Sequence, residues 1–508
     1  MWEIGRYDPR DMRRARGRSF LGVLVAALVA VACAPSPSSS GTTLVAAATK
    51  PTPSAETFPP PARTTPEPPR PTAAPPSTPD PSAGPGETPR PPVEPRDTGG
   101  ASLDVRATYD VNALISVGTG AVEMAARIEV TNESGEDIDR LELNTIAARL
   151  GGIKVTESSV DGEHVKTRVQ DQTLIMPLGG VLADGASATI LIGYRASLRP
   201  GLSGSDWLFT YAGGTIAMHR WIPWVSRAIP FGHANEGLPF VTASSPKVEV
   251  EVVTDMPMVL AAPAAKIHKL TAGAGQAWSF TLENVRDVSV VLAPDFGVTE
   301  GKVKGVPIRV YSRYGSLSRA GLLRLAKAAV RRDAQVLRVD YPWPVLTVVE
   351  TEGGDGLESP GLVWIPKGLD SLNRSYLVHH VVAHQWFYGL VGYNQRTEPF
   401  AGEAIADLLA RTATRTLRSS SCPTARLDLG IGGYSTACYY EGLKLEGALV
   451  LDRVRQQMGS NRFWAAVRGY LEKYRYGIAG TKEILEALRG GSDANIGGIL
   501  RTRFPGLY

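Results

Sequence analysis

His380 and His384 stand four residues apart in the stretch His379-His380-Val381-Val382-Ala383-His384-Gln385-Trp386-Phe387. That spacing puts both side chains on one face of a helix, one turn apart, so that two imidazoles can reach a single metal ion. A carboxylate follows at Glu403, on a second stretch whose Ala404, Leu408 and Leu409 mark the apolar side of a helix. Two imidazoles from one helix and a carboxylate from another are three ligands of the kind zinc takes, and they leave the fourth tetrahedral position for water. Such a centre polarises a carbonyl and activates water for hydrolysis. A bare pair of histidines carries little weight, but here three of the chain's seven histidines fall within six residues.

The elements that must position these residues lie in the second of two folded parts. From about residue 101 to 313 the apolar period is two: Val122, Met124, Ala126, Ile128 and Val130 alternate with Glu123, Arg127 and Glu129, and the run ends in the turn Asn132-Glu133-Ser134-Gly135. Val248, Val250 and Val252 repeat the pattern, and further strands are expected at 173–178, 188–198, 278–285 and 306–312. This part reads as an antiparallel β domain with no obvious catalytic constellation. From 316 to 508 the period becomes 3.6. Ser316 or Ser318 can cap a helix in which Leu322, Leu325, Ala326, Ala329 and Val336 share a face; a short strand follows at 341–350, and the chain after Ser371 is mainly helical. The fold class is therefore α+β, an N-terminal antiparallel β domain followed by a mixed α/β, mainly helical domain.

Ahead of both parts, residues 1–33 read as an export signal. Arg10, Arg13, Arg14, Arg16 and Arg18 form a basic segment, and Phe20–Ala32 is an apolar run of thirteen residues, short for a membrane span. The run closes on Ala30-Val31-Ala32-Cys33, which resembles a bacterial lipobox and implies a lipidated Cys33 and a body tethered to the outer side of a cell membrane, extracellular or periplasmic; an ordinary secretory signal with an incidental cysteine is the alternative. Residues 34–98 are rich in Pro, Ser and Thr and include 20 of the 38 prolines up to Pro95, so they form a spacer that buries no core. The two remaining cysteines, Cys422 and Cys438, can pair in an oxidising compartment or remain thiols. A net charge of +4 over 508 residues suggests no nucleic-acid partner.

Taken together the motifs resemble the M1 zinc aminopeptidases, which are gluzincin metallopeptidases. The family pattern is H-E-x-x-H, eighteen residues, then E, and residues 385–402 between His384 and Glu403 number eighteen. Gln385-Trp386-Phe387 and the segment from Gly356 through Glu358 to Leu362 are also similar to family motifs, as are His219-Arg220-Trp221-Ile222-Pro223-Trp224 and Asn284-Val285-Arg286-Asp287 in the β part. The resemblance implies a thermolysin-like second domain and Zn2+ on His380, His384 and Glu403. It further implies Glu358, with Gly356, as the site for a substrate's free amine, a peptide or protein N-terminus as partner, and Asp407 as a residue that orients a ligand imidazole.

Two positions depart from the family. Val381 stands where the general-base glutamate belongs, and valine transfers no proton. Lys444, aligned on Gly447-Ala448, takes the place of the transition-state tyrosine; Tyr440, one turn earlier, is a possible substitute. His379 faces the other side of the helix, while Glu352 or Glu358 could approach from a strand. Three readings follow: a metal-binding relative with lost or impaired catalysis and a peptide- or partner-binding role, an active aminopeptidase with a relocated base, or a scaffold module without metal.

Overall fold

The structure is a computed structural model that describes residues 104–226, 241–272, 275–422, 426–435, 438–491 and 494–508. The export signal with Cys33 and the proline-rich segment at 34–98 lie outside the described residues.

The alternation in the β part becomes a one-sided sheet. Val122, Met124, Ala126, Ile128 and Val130 are buried along strand Ala121–Asn132 and the intervening residues are exposed. This strand pairs antiparallel with Val105–Ser116 on one side and Ser187–Ser197 on the other, at the centre of an eight-stranded sheet. One pairing departs from the antiparallel expectation, because Val105–Ser116 runs parallel to Val248–Thr254. No hairpin joins those two strands. The chain between them runs through two four-stranded sheets, so no tight turn dictates their direction.

The second part is built on a five-stranded sheet in the order Gly297–Val303, Val306–Ser312, Leu346–Thr351, Leu362–Pro366, Leu357–Ser359. Its first two strands precede residue 313 yet pair into this sheet, since an alternating pattern identifies a strand but not its partners. Leu346–Thr351 and Leu362–Pro366 are buried at every residue, as expected of parallel strands covered on both faces. Helix Ser316–Leu337 is the crossover into Leu346–Thr351. Neither serine caps it: Gly315 is the N-cap with φ 91°, Ser316 lies in the first turn, and the Ser318 hydroxyl donates to the Glu350 carboxylate at 2.8 Å. A buried anion is the stronger acceptor for that hydroxyl.

One apolar core runs through both parts. At the seam, Trp207 and His219 of the β part meet Trp364 edge-on, with ring centroids 6.0 and 6.1 Å away. Cys422 and Cys438 are joined as a disulfide, with Cα atoms 5.5 Å apart. Among the described residues no helix is long and apolar enough to cross a membrane.

Candidate metal centre

Helix Ser371–Ala383 starts at Asp370, whose carboxylate accepts from the backbone N–H of Leu372 at 2.9 Å and Asn373 at 2.8 Å. His380 lies in its last turn, and His384 is the residue that closes it, with its backbone N–H donating to His380 O at 3.3 Å. The four-residue spacing therefore survives to the cap. His384 Nδ1 lies 2.9 Å from Phe387 O, so that nitrogen donates to the carbonyl and Nε2 is the ring atom turned toward the cluster. Glu403 enters from the first turn of helix Phe400–Thr414.

The three donors converge. His380 Nε2 and His384 Nε2 are 3.2 Å apart, and Glu403 Oε2 lies 3.4 Å from the first and 3.6 Å from the second. Ligand atoms roughly 2.0–2.1 Å from a tetrahedral ion stand about 3.3–3.4 Å from one another, so the cluster has the size and donor set of a zinc site. Both imidazoles are buried, and the Glu403 side chain is 12% exposed.

Lys444 adds a feature that the sequence motifs did not reveal. Its ammonium is 2.9 Å from Glu403 Oε2 and 3.3 Å from His380 Nε2. It belongs to a π-helical segment, Tyr439–Glu446, that runs directly into helix Gly447–Met458. Gly447 makes the approach possible, because a Cβ there would sit 2.8 Å from the Ala404 Cβ and 3.4 Å from the Phe400 ring. The helix carrying Glu403 and the one following Lys444 therefore touch backbone to side chain. The signal for this was present in Gly447-Ala448, but alignment gave Lys444 only as a missing tyrosine.

These charges set each other's protonation. Burial pushes the Glu403 carboxyl up, but Lys444 and His384 hold it well below the usual carboxylate range. Burial, then Lys444, pulls His380 down to about 4. Burial would lower His384 too, yet Glu358 and Glu403 raise it to about 9.

The other expected residues fall at different distances from the cluster. Asp407 stands behind His380, its Oδ1 3.6 Å from Nδ1, and is itself held by the Tyr376 hydroxyl and the Arg411 guanidinium. Glu358 lies on edge strand Leu357–Ser359, and burial raises its carboxyl above the usual range while His384 opposes the shift. Gly356 leads into that strand with φ 91°, and a Cβ there would meet the Leu377 side chain at 2.7 Å. Val381 is packed in the core. His379 is buried beside Arg332, and burial with that charge brings it to about 4. Glu352 is paired with Arg313, at 3.3 Å, and with Lys367, so it is committed elsewhere. Tyr440 is half-exposed, with its ring 5.3 Å from the Lys444 ammonium.

The two β-part motifs converge on the strand of Glu358. Asp287 accepts from the hydroxyls of Ser359 and Tyr388 and lies 3.5 Å from Arg220 Nε. Arg220 also bonds the Tyr388 hydroxyl and donates to Gln395 at 2.9 Å. Arg286 donates to three backbone carbonyls, Thr242 at 2.9 Å, Gly477 at 3.0 Å and Gly389 at 3.1 Å. Gln385 completes the tie: its amide donates to Ser359 O at 3.0 Å and its carbonyl accepts from the Gly361 N–H at 2.8 Å.

No protein-family model matches the sequence, and no curated protein sequence is similar to it. Solved structures are similar in fold. The M1 zinc metallopeptidase of Deinococcus radiodurans matches with a TM-score of 0.61 at 17% identity, over 79% of this chain and 95% of that one. A glutamate-to-alanine variant of that protein matches over 78% and 93% at the same TM-score and identity, and the variant bound to a Tyr-Ser-Ala substrate matches at 15% identity. With a β part joined to a largely helical part that carries a His-His-Glu cluster, this chain has the fold of the M1 zinc metallopeptidases.

Proposed function

We propose that the chain is an exported, membrane-tethered protein of this fold that binds zinc at His380, His384 and Glu403, captures peptide N-termini, and has lost efficient hydrolysis. One observation carries the reading: three donors at tetrahedral separations are kept while buried Val381 stands where a general base would act. Zinc, when bound, polarises a carbonyl and makes water more acidic. The chain's own residues do the rest. His384 is oriented by Phe387 O, Asp407 stands behind His380, and Glu358 offers a carboxylate to a free α-amine from a strand whose Ser359 is held by Asp287 and Gln385. A related fold holding a Tyr-Ser-Ala substrate supports a peptide as the ligand. The spacer ahead of the β part and the cysteine at its start fit a tether through a lipidated Cys33.

Metal analysis with hydrolysis of amino-acid anilides tests this. We expect one zinc per chain, lost in His384→Ala and Glu403→Ala, and little or no turnover. Absence of zinc under conditions that load ordinary zinc peptidases overturns the reading in favour of a scaffold without metal. Cys33→Ser should move the protein from membranes to the soluble exported fraction, and unchanged membrane association removes the tether.

A second reading, an active aminopeptidase with a relocated base, draws on Glu358, a partly buried carboxyl that feels the charges of both His384 and Glu403. Zinc with normal turnover would establish it, and Glu358 would then give up its amine-binding role.

A further inference from the structure

We infer that Lys444 is a tethered cation that sits against two of the three donors of the metal cluster and competes with the metal for them. The inference rests on the zinc reading above.

The Lys444 ammonium lies against one edge of the donor triangle, the edge between Glu403 and His380. The three donor atoms are 3.2, 3.4 and 3.6 Å apart, and the Lys444 ammonium stands 2.9 and 3.3 Å from two of them. An ammonium has three N–H donors and no lone pair. It therefore pairs with Glu403 Oε2 by charge and donates to the His380 Nε2 lone pair that a metal would need, and it cannot itself become a ligand while charged.

The charge balance points the same way. In the metal-free protein Glu403 is a mostly buried carboxylate, and such a group needs a partner. Lys444, with a side chain 15% exposed, supplies it. A divalent ion placed among these donors would repel the ammonium strongly at a separation of a few ångströms. The lysine can then yield: its stem is flexible, and its ammonium already lies 5.3 Å from the centroid of the Tyr440 ring, a cation–π partner that it keeps while moving off the donors. Gly447 and the π-helical turn are the local features that bring the ammonium to the cluster at all.

An ordinary packing role for Lys444 makes the opposite prediction, since a residue that only supports Glu403 would weaken metal binding when lost. The test is zinc affinity of the full-length chain, measured by competition with a chromophoric chelator, for wild type, Lys444→Met and Lys444→Gln, with folding checked by circular dichroism. We expect both variants to bind zinc at least about tenfold more tightly than wild type, while their metal-free forms unfold at lower temperature because Glu403 has lost its counter-charge. Gln, which keeps an N–H donor, covers the case in which Met fails to fold. Equal or weaker zinc affinity in a folded variant overturns the inference and leaves the zinc reading intact. If neither wild type nor variants bind zinc, the zinc reading fails and takes this inference with it.

Discussion

The Ser359 hydroxyl donates to the Asp287 carboxylate, so the residue next to Glu358 is fastened to the β part. Asp287 is wholly buried and is also the carboxylate beside Arg220, which holds a left-handed φ of 44°. The strand edge that carries Glu358 is thus set by a charge in the other part of the protein, through a bond that neither part makes alone.

Removing that charge should loosen the seam. Asp287→Ala leaves the buried Arg220 guanidinium without its carboxylate, and breaking one side of a buried pair costs about 3–5 kcal/mol. Ser359→Ala removes one hydrogen bond and should cost only about 1 kcal/mol. Urea unfolding of the two variants checks this, and equal losses would mean that the Ser359 contact, not the Arg220 pair, dominates.

Arg286 should be equally hard to replace. Arg286→Met keeps much of the aliphatic length but strips donors from the carbonyls of Thr242, Gly477 and Gly389. A buried acceptor left unsatisfied costs about 1–3 kcal/mol, so a loss of at least about 3 kcal/mol is expected in the same unfolding experiment. A loss below about 1 kcal/mol would show that water reaches these groups.

Restoring the missing groups tests the account of weak catalysis. Val381→Glu adds a carboxylate on a helix whose neighbouring imidazoles are already in place, and Lys444→Tyr restores the second departure while removing the competing ammonium. Anilide hydrolysis by the zinc-loaded double variant should exceed wild type by a factor approaching about 10² to 10⁴, the range of a positioned general base. Turnover that is normal in wild type and unchanged in Val381→Glu would mean that another residue does this work.

Asp333 gives a pH signature independent of the metal cluster. It is fully buried in helix Ser316–Leu337, one oxygen 3.2 Å from Arg332 Nη1 and the other without a hydrogen-bond partner, and burial, only partly offset by Arg332, raises it to about 7. Because the folded value lies above the unfolded one, its favourable contribution is complete below about pH 4 and is lost as pH rises through about 7. Asp333→Asn carries no such titration. Its stability relative to wild type should therefore improve steadily between pH 4 and 7.5, read from unfolding midpoints; a constant difference across that range would show that Asp333 titrates normally.

Much of the His380–His384–Glu403 cluster was legible in the sequence because its determinants are local. Spacing fixes that His380 and His384 share a helix face, and the same periodicity sets Glu403 among apolar neighbours on a second helix. Strands such as Ala121–Asn132 are equally legible, since alternation follows from the pleat itself. Only the tertiary structure decided which strands share a sheet. Gly297–Val303 and Val306–Ser312 join the second part, and Val105–Ser116 runs parallel to Val248–Thr254, because hydrogen bonds between distant segments leave no periodic trace in either. The same holds for the charges. Lys444 reads in the sequence as the absence of a tyrosine, and Arg220, Arg286 and Asp287 read as fragments of motifs; their meaning comes from burial beside partners far along the chain, where low dielectric makes each unpaired charge costly and each paired one decisive for position.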